Sequence, residues 1–175
     1  PPHKPPHTPQ TPHHPHDRGP PPPTLQFAPR YTEHNATPGT EVCAQLVREC
    51  RQVGLPCIIE PRAYGGQVTG ANIGEILTLG ARMAVEIGAD ALKIPYTGDV
   101  ASFRNLVDVA GVPVLVLGGA RSDHERDALE LFAEGLEAGG RGCLMGRNVT
   151  KSPDPRGMVA QLAGIAHQNW SVDRA

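Results

Sequence analysis

A short apolar run, a turn and a stretch of helical periodicity follow one another four times in the second part of the chain. Alternation of this kind with short connections is typical of parallel βαβ units joined by right-handed crossovers. It leaves two architectures open, a doubly wound sheet and part of a (β/α)₈ barrel. The four predicted strands are residues 57–60, 91–95, 114–117 and 143–145.

The predicted helices begin and end at recognisable signals. Thr37 and Pro38 suit an N-cap and a first helical position, and Gly54 ends the first helix. Asp99, Asp123 and Asp154 are the predicted N-caps of three later helices. The apolar face predicted for the first helix comprises Val42, Leu46, Cys50 and Val53.

The first 30 residues have a different composition, rich in Pro and His with almost nothing apolar. Such a segment buries too little surface to offset the entropy of ordering it, so we predict a disordered tail over residues 1–30 and a folded domain over residues 37–170. A chain of 175 residues is shorter than the roughly 200 to 250 of a complete barrel. Because it begins with Pro1, we expect a fragment of a longer product.

Charge and cysteine spacing exclude several classes of function. The net charge is −2 with only three lysines, which argues against a nucleic-acid binder. No apolar run reaches the roughly 18 residues of a membrane span, and the four cysteines show no CxxC spacing that indicates zinc or redox chemistry. We therefore expect a cytoplasmic protein with reduced thiols and no metal.

Lys93 is the strongest candidate for chemistry. It lies inside a predicted strand with apolar residues on both sides, where a charge is costly unless it is paired. Burial disfavours the ammonium form, and a neutral amine can attack a carbonyl. The alternative is a structural lysine that reaches solvent or pairs with Glu60 or Asp90.

A Gly-Gly pair and a Gly-Arg pair follow the next two predicted strands, at the place where barrel enzymes bind phosphate. Gly118 and Gly119 end one strand, and Gly146 with Arg147 ends the next. Glycine lets backbone N–H groups approach an anion, and arginine adds a bidentate contact. These four residues are the predicted phosphate-binding set, with ordinary turn chemistry as the alternative.

Several polar side chains stand at the same predicted end of the sheet. Glu60, Arg62 and Tyr64 follow the first strand, and any of them suits an acid, a base or a substrate contact. Tyr96 follows Lys93 and is a candidate proton donor.

Three segments resemble the class I aldolases of the archaeal fructose-bisphosphate aldolase type, which are related to deoxyribose-phosphate aldolase. They are residues 88–99 (GADALKIPYTGD), 112–119 (VPVLVLGG) and 142–149 (GCLMGRNV). The resemblance covers about three quarters of the chain, and it implies a (β/α)₈ TIM barrel truncated to about strands 5–8.

That resemblance implies a Schiff base on Lys93, a phosphorylated sugar as substrate, no cofactor or metal, and a homo-oligomer. From their positions, Arg62 is added to the predicted phosphate contacts, and Glu60, Tyr64 and Tyr96 are predicted as catalytic residues beside Lys93. Fructose 1,6-bisphosphate is the leading substrate. The alternatives are a thiolase-like or deoxyribose-phosphate lyase on the same fold, and a Pro/His-rich metal-binding module beside a degenerate barrel.

Two departures from the family pattern bear on activity. The aldolases in question have a tyrosine directly before a Pro-Arg pair, whereas here Glu60 precedes Pro61 and Arg62. The first four strands, with an acidic residue used in proton transfer, are also absent from this sequence. The resemblance therefore leaves open both the substrate and the activity of the chain by itself.

Overall fold

The computed structural model describes residues 25–27, 30–31, 36–63, 66–120, 122 and 124–175. Its main feature is a parallel sheet with the strand order β1-β3-β5-β6-β7, beside a small parallel pair formed by β2 and β4. The strands are β1 (Leu25–Phe27), β2 (Arg30–Tyr31), β3 (Cys57–Ile59), β4 (Arg62–Ala63), β5 (Ala91–Pro95), β6 (Val114–Leu117) and β7 (Gly142–Leu144). The helices are α1 (Ala36–Gln52), α2 (Ile73–Glu86), α3 (Val100–Ala110), α4 (Glu125–Glu137), α5 (Arg147–Thr150) and α6 (Pro155–Gln168).

The order of the strands distinguishes the two architectures that the sequence allows. In a doubly wound sheet the spatial order reverses at a switch point, whereas in a barrel each strand lies beside the next one along the chain. Here the main sheet runs in chain order from β1 to β7, and every pairing is parallel. The fold is therefore a segment of a (β/α)₈ barrel, and the doubly wound alternative is wrong.

Burial along the strands separates the two faces of the sheet. Leu92 and Ile94 of β5 and Val114 and Val116 of β6 have no exposed surface, while the residues between them are only partly buried. The buried set packs under the helices with Phe103, Leu106 and Phe132, and forms the core. The other face is the one that lines the inside of a barrel, and it carries Lys93.

The ordered structure begins earlier than predicted. Strand β1 pairs in parallel with β3, Leu25 beside Cys57, so the sheet has five strands and not four. This strand lies within residues 1–30, for which composition predicts a disordered tail. The folded segment thus starts before residue 37.

The buried face of α1 was predicted correctly only at Cys50. Val42 and Val53 of the predicted face are 47% and 76% exposed, and the helix buries Cys43 and Val47 instead, together with Cys50. The apolar residues of α1 form two adjacent stripes that differ by one position, and only packing against the sheet selects between them.

Local signals correctly predicted two helix starts, at Asp99 and Asp154, whereas α1 begins at Ala36, before the predicted N-cap Thr37. Asp99 Oδ1 accepts a hydrogen bond from the Ser102 N–H at 2.8 Å, and Asp154 Oδ1 accepts one from the Gly157 N–H at 2.9 Å. Asp123, the predicted cap of α4, lies outside the described residues, and the structure has His124 as the N-cap of this helix instead. Among the described helices, none is both long and apolar enough to cross a membrane.

Candidate active site

Strand pairing places Glu60 next to Lys93. Ile59 of β3 is opposite Leu92 of β5, so one residue further along each chain Glu60 reaches the level of Lys93. Side chains alternate between the faces of a strand, so both residues lie opposite the buried Ile59 and Leu92, on the inner face. The sheet therefore brings the two sequence candidates together.

The two side chains form an ion pair that is shielded from solvent. Lys93 Nζ lies 3.0 Å from Glu60 Oε2, and the side chains are 13% and 5% exposed. Arg62 Nη1 lies 3.4 Å from the other carboxylate oxygen, Oε1. Glu60 thus bridges a lysine and an arginine, and the three charges sum to +1.

This geometry supplies two functions for carbonyl chemistry. The Glu60 oxygen is close enough to take a proton directly from Lys93 Nζ, which leaves a nucleophilic amine. The remaining positive charge favours an anionic substrate at the same place.

The two positions after β6 hold glycine for different structural reasons. A Cβ on Gly118 would lie 2.6 Å from Cγ and 2.9 Å from Cβ of Met145, so glycine allows this loop to approach the residue that follows β7. Gly119 has φ of +66°, the left-handed region that side chains rarely adopt. A side chain would therefore be strained at both positions, at Gly118 by contact with Met145 and at Gly119 by the backbone conformation.

Gly146 and Arg147 are exposed at the end of the neighbouring strand. Leu117 is paired with Leu144, so the loops after β6 and β7 leave the sheet side by side. Lys93 is paired with Leu115, and Gly118 comes three residues later, roughly 10 Å further along the strand direction. The predicted phosphate-binding residues thus lie beyond Lys93 at the carboxyl edge of the sheet.

Asn148 is a residue that the sequence analysis missed. It is 5% exposed, and its side chain joins the two loops. The Ser122 N–H donates to Oδ1 at 2.9 Å, and Nδ2 donates to the Gly118 carbonyl at 2.7 Å. An asparagine after a Gly-Arg pair was the only signal available in the sequence.

The structure does not bring Tyr96 to Lys93. Its ring packs on Phe103 of α3 with the centroids 5.4 Å apart. Burial and the nearby Glu134 carboxylate of α4 raise the pKa of the phenol well above its usual value. Tyr96 therefore belongs to the layer between sheet and helices, and the structure gives no support to its predicted role as a proton donor.

Tyr64, the remaining catalytic candidate, lies outside the described residues, and so do the histidines of the first 30 residues. Within the part of the chain that the structure describes, no three His, Cys, Asp or Glu side chains are grouped closely enough to hold a metal ion.

Comparison with known proteins identifies the family of this sheet and site. The model of the DeoC/LacD family aldolases matches residues 24–152, which include every strand of the main sheet. The chain belongs to the DeoC/LacD aldolase family. The match begins directly before β1, in agreement with the fifth strand seen in the structure.

Three relatives show the range of this aldolase family. The chain is 39% identical to the class 1 fructose-bisphosphate aldolase of Thermoproteus tenax over 128 residues. This aligned region covers 73% of the chain and 49% of that protein. It is 32% identical over 136 residues to an uncharacterized aldolase of Saccharolobus solfataricus, covering 77% and 50%. A 2-amino-4,5-dihydroxy-6-oxo-7-(phosphonooxy)heptanoate synthase of Streptomyces griseus is 29% identical over 126 residues, covering 72% and 46%. The chain thus spans about half the length of these curated relatives.

Solved structures agree with the sequence relatives. A Schiff base-forming fructose-1,6-bisphosphate aldolase superposes with a TM-score of 0.77 at 35% identity, covering 82% of this chain and 58% of that one. An archaeal fructose 1,6-bisphosphate aldolase gives a TM-score of 0.77 at 34% identity, covering 83% and 58%. These neighbours confirm the predicted fold as part of a TIM-barrel aldolase.

Proposed function

We propose that this chain carries the Schiff-base centre of a class I aldolase that acts on a ketose phosphate, with fructose 1,6-bisphosphate as the leading substrate. The observation that carries the proposal is the shielded pair of Lys93 and Glu60, 3.0 Å apart on the inner face of an aldolase sheet. Family membership and the Schiff-base chemistry named for a structural neighbour support it.

In the proposed reaction, Glu60 takes a proton from Lys93, and the neutral amine adds to the substrate carbonyl carbon. A proton passes from the added nitrogen to the former carbonyl oxygen, which becomes the hydroxyl of a neutral carbinolamine. Loss of that hydroxyl as water, with a proton returned by Glu60, leaves a protonated iminium. The iminium accepts the electron pair of the C–C bond as it breaks and becomes an enamine, while the hydroxyl on the departing carbon gives its proton to a base and becomes the aldehyde. The enamine carbon then gains a proton, and hydrolysis of the resulting iminium by water releases the ketone and restores Lys93.

The names of two relatives support a common donor half of the substrate. A 6-oxo-7-(phosphonooxy) compound with hydroxyls at carbons 4 and 5 and fructose 1,6-bisphosphate both place a ketone next to a phosphorylated carbon, followed by two hydroxylated carbons. Cleavage between those two carbons releases dihydroxyacetone phosphate in both cases. We therefore propose dihydroxyacetone phosphate as the donor, with Gly118, Gly119, Gly146 and Arg147 at its phosphate and Arg62 beside the Lys93 pair.

The test is borohydride trapping of the folded chain with dihydroxyacetone phosphate, followed by peptide mass spectrometry. We expect an adduct on Lys93 alone, lost in Lys93→Met and retained in Lys151→Met. Lys151 is exposed and directly follows α5, outside β5, so it controls for nonspecific modification of lysine. A folded wild-type chain without an adduct, or with equal labelling of Lys151, would contradict the proposal.

Two further measurements separate the parts of the proposal. Glu60→Gln should slow adduct formation by about 100-fold, since it removes the proton acceptor and keeps the shape of the side chain. Release of dihydroxyacetone phosphate from fructose 1,6-bisphosphate, compared with cleavage of deoxyribose 5-phosphate, tests the substrate. A homo-oligomeric state and a cytoplasmic location stay predictions.

A further inference from the structure

The side-chain amide of Asn148 forms hydrogen bonds to a different loop through both its oxygen and its nitrogen. The residue stands in α5, directly after the β7 loop, and its partners Gly118 and Ser122 belong to the loop after β6. A buried amide is costly unless its polar atoms are hydrogen-bonded, and here the oxygen and the nitrogen each have a partner at 2.9 and 2.7 Å. The pairing therefore fixes the two loops relative to each other.

The bond to Gly118 also sets the direction of the next peptide group. None of the described peptide bonds is cis, and in a trans peptide the C=O and the following N–H point in opposite directions. Because the Gly118 carbonyl is held toward Asn148, the N–H of Gly119 is turned away from Asn148. The φ of +66° at Gly119 then continues the turn.

Contact between the loops leaves little freedom for other arrangements. Gly118 lies against Met145 so closely that a Cβ there would be 3.1 Å from the Met145 Cα. The same loop is fastened again at Ser122, on the far side of Gly119. One side chain thus holds the segment that carries Gly119 at both of its ends.

We propose that Asn148 is a positioning residue for the phosphate group of the donor substrate. It does not contact the substrate; it holds the Gly118–Gly119 peptide in the orientation that presents the Gly119 N–H to the anion beside Gly146 and Arg147. The inference rests on the proposed function, because it assigns these loops to the phosphate of a sugar phosphate. It predicts that loss of Asn148 weakens phosphate recognition and spares the chemistry at Lys93.

The experiment compares two trapping substrates that differ only in the phosphate. Borohydride trapping on Lys93 is followed against the concentration of dihydroxyacetone phosphate and of unphosphorylated dihydroxyacetone. Asn148→Ala removes both hydrogen bonds, and the nearly isosteric Asn148→Asp keeps the acceptor for Ser122 but places an oxygen against the Gly118 carbonyl. Asn105→Ala, on the exposed face of α3, is the matched control.

We expect both Asn148 variants to raise the half-saturating concentration of dihydroxyacetone phosphate by about tenfold or more, the equivalent of one buried hydrogen bond. Trapping of dihydroxyacetone should stay as in the wild type, and Asn105→Ala should change neither. An equal rise in the half-saturating concentration of both substrates would mean that Asn148 is merely structural. No rise with either substrate would mean that Asn148 has no part in phosphate recognition. Either result overturns the proposal, and the Asp variant decides it if the Ala variant does not fold.

A second readout does not depend on Lys93 chemistry. Inorganic phosphate titrated into the ¹⁵N-labelled chain should shift the amide signals of Gly119 and Gly146, and about tenfold more phosphate should be needed in Asn148→Ala. If the folded wild type traps neither ketone, the proposed aldolase function fails, and this titration still decides the role of Asn148. Phosphate shifts that are absent in the wild type, or unchanged in the variant, would overturn it.

Discussion

The ion pair between Lys93 and Glu60 predicts a coupling free energy that a double-mutant cycle can measure. Unit charges 3.0 Å apart attract by about 5 to 6 kcal/mol at an effective dielectric constant of about 20. Removing both groups from water opposes this attraction, so we expect a net coupling of about 1.5 to 3 kcal/mol in the free energy of unfolding.

The two single substitutions should have unequal effects. Lys93→Met leaves the Glu60 carboxylate, with its side chain 5% exposed, beside Arg62 at 3.4 Å. Glu60→Gln leaves Lys93, whose side chain is 13% exposed and flexible enough to move its ammonium group toward solvent. Because the carboxylate has less access to water, Lys93→Met should be the more destabilising of the two.

Urea unfolding of the wild type, Glu60→Gln, Lys93→Met and the double variant gives the coupling directly. The chain offers a matched control in Arg82 and Glu86, an ion pair at 2.9 Å whose side chains are 66% and 62% exposed. The same cycle there should give at most about 0.5 kcal/mol. A Lys93 coupling as small as that of the control would refute the shielded pair.

Three further predictions concern single positions. Tyr96→Phe removes a buried hydroxyl that has no hydrogen-bond partner at bonding distance among the described residues, so stability in urea should be unchanged or higher by up to about 1 kcal/mol. Trapping on Lys93 should also be unaffected, and a loss of trapping would restore Tyr96 as a catalytic candidate. Gly118→Ala forces a Cβ against Met145 and should cost about 1 to 3 kcal/mol of unfolding free energy, whereas Gly70→Ala, where a Cβ meets nothing within 4 Å, should cost far less. Burial, with Cys50 nearby, raises the pKa of the Cys57 thiol to about 11, so at pH 8 it should react with iodoacetamide about 100-fold more slowly than an unperturbed thiol; mass spectrometry at several pH values checks this, and rapid labelling of the folded chain would contradict it.

The sequence was sufficient where a local pattern determines the structure. Strand β5 is an apolar run between Gly88 and a helix cap, with Lys93 as the one charged residue inside it, and the period of two along a strand puts Lys93 and Pro95 on one face. The same period, continued past Pro95, places Tyr96 on the opposite face. The role predicted for Tyr96 neglected this alternation, which was available in the sequence.

The structural features that the sequence did not predict depend on contacts between distant segments of the chain. Strand β1 is three residues long and lies in a proline-rich setting, so its pairing with β3 gives no local signal. Asn148 is joined to residues 26 and 30 positions away, and a buried asparagine has no periodicity that marks it. The role of a residue such as Asn148 can be recognised only in the folded structure, where the sheet brings the two loops together.

A glutamate at position 60 has an electrostatic consequence for the proposed chemistry. A Lys93 ammonium and a protonated iminium on the same nitrogen both carry one positive charge, so the attraction to Glu60 Oε2 persists from the free enzyme to the covalent intermediate. In the proposed first step, the proton of Lys93 passes to Glu60 and the amine becomes neutral. A tyrosine at this position would be neutral at the start and would gain a charge on giving up its proton, whereas the carboxylate starts charged and is neutralised. The carboxylate thus stabilises the two charged states at the ends of the reaction, and Glu60→Gln should remove this stabilisation together with the proton acceptor.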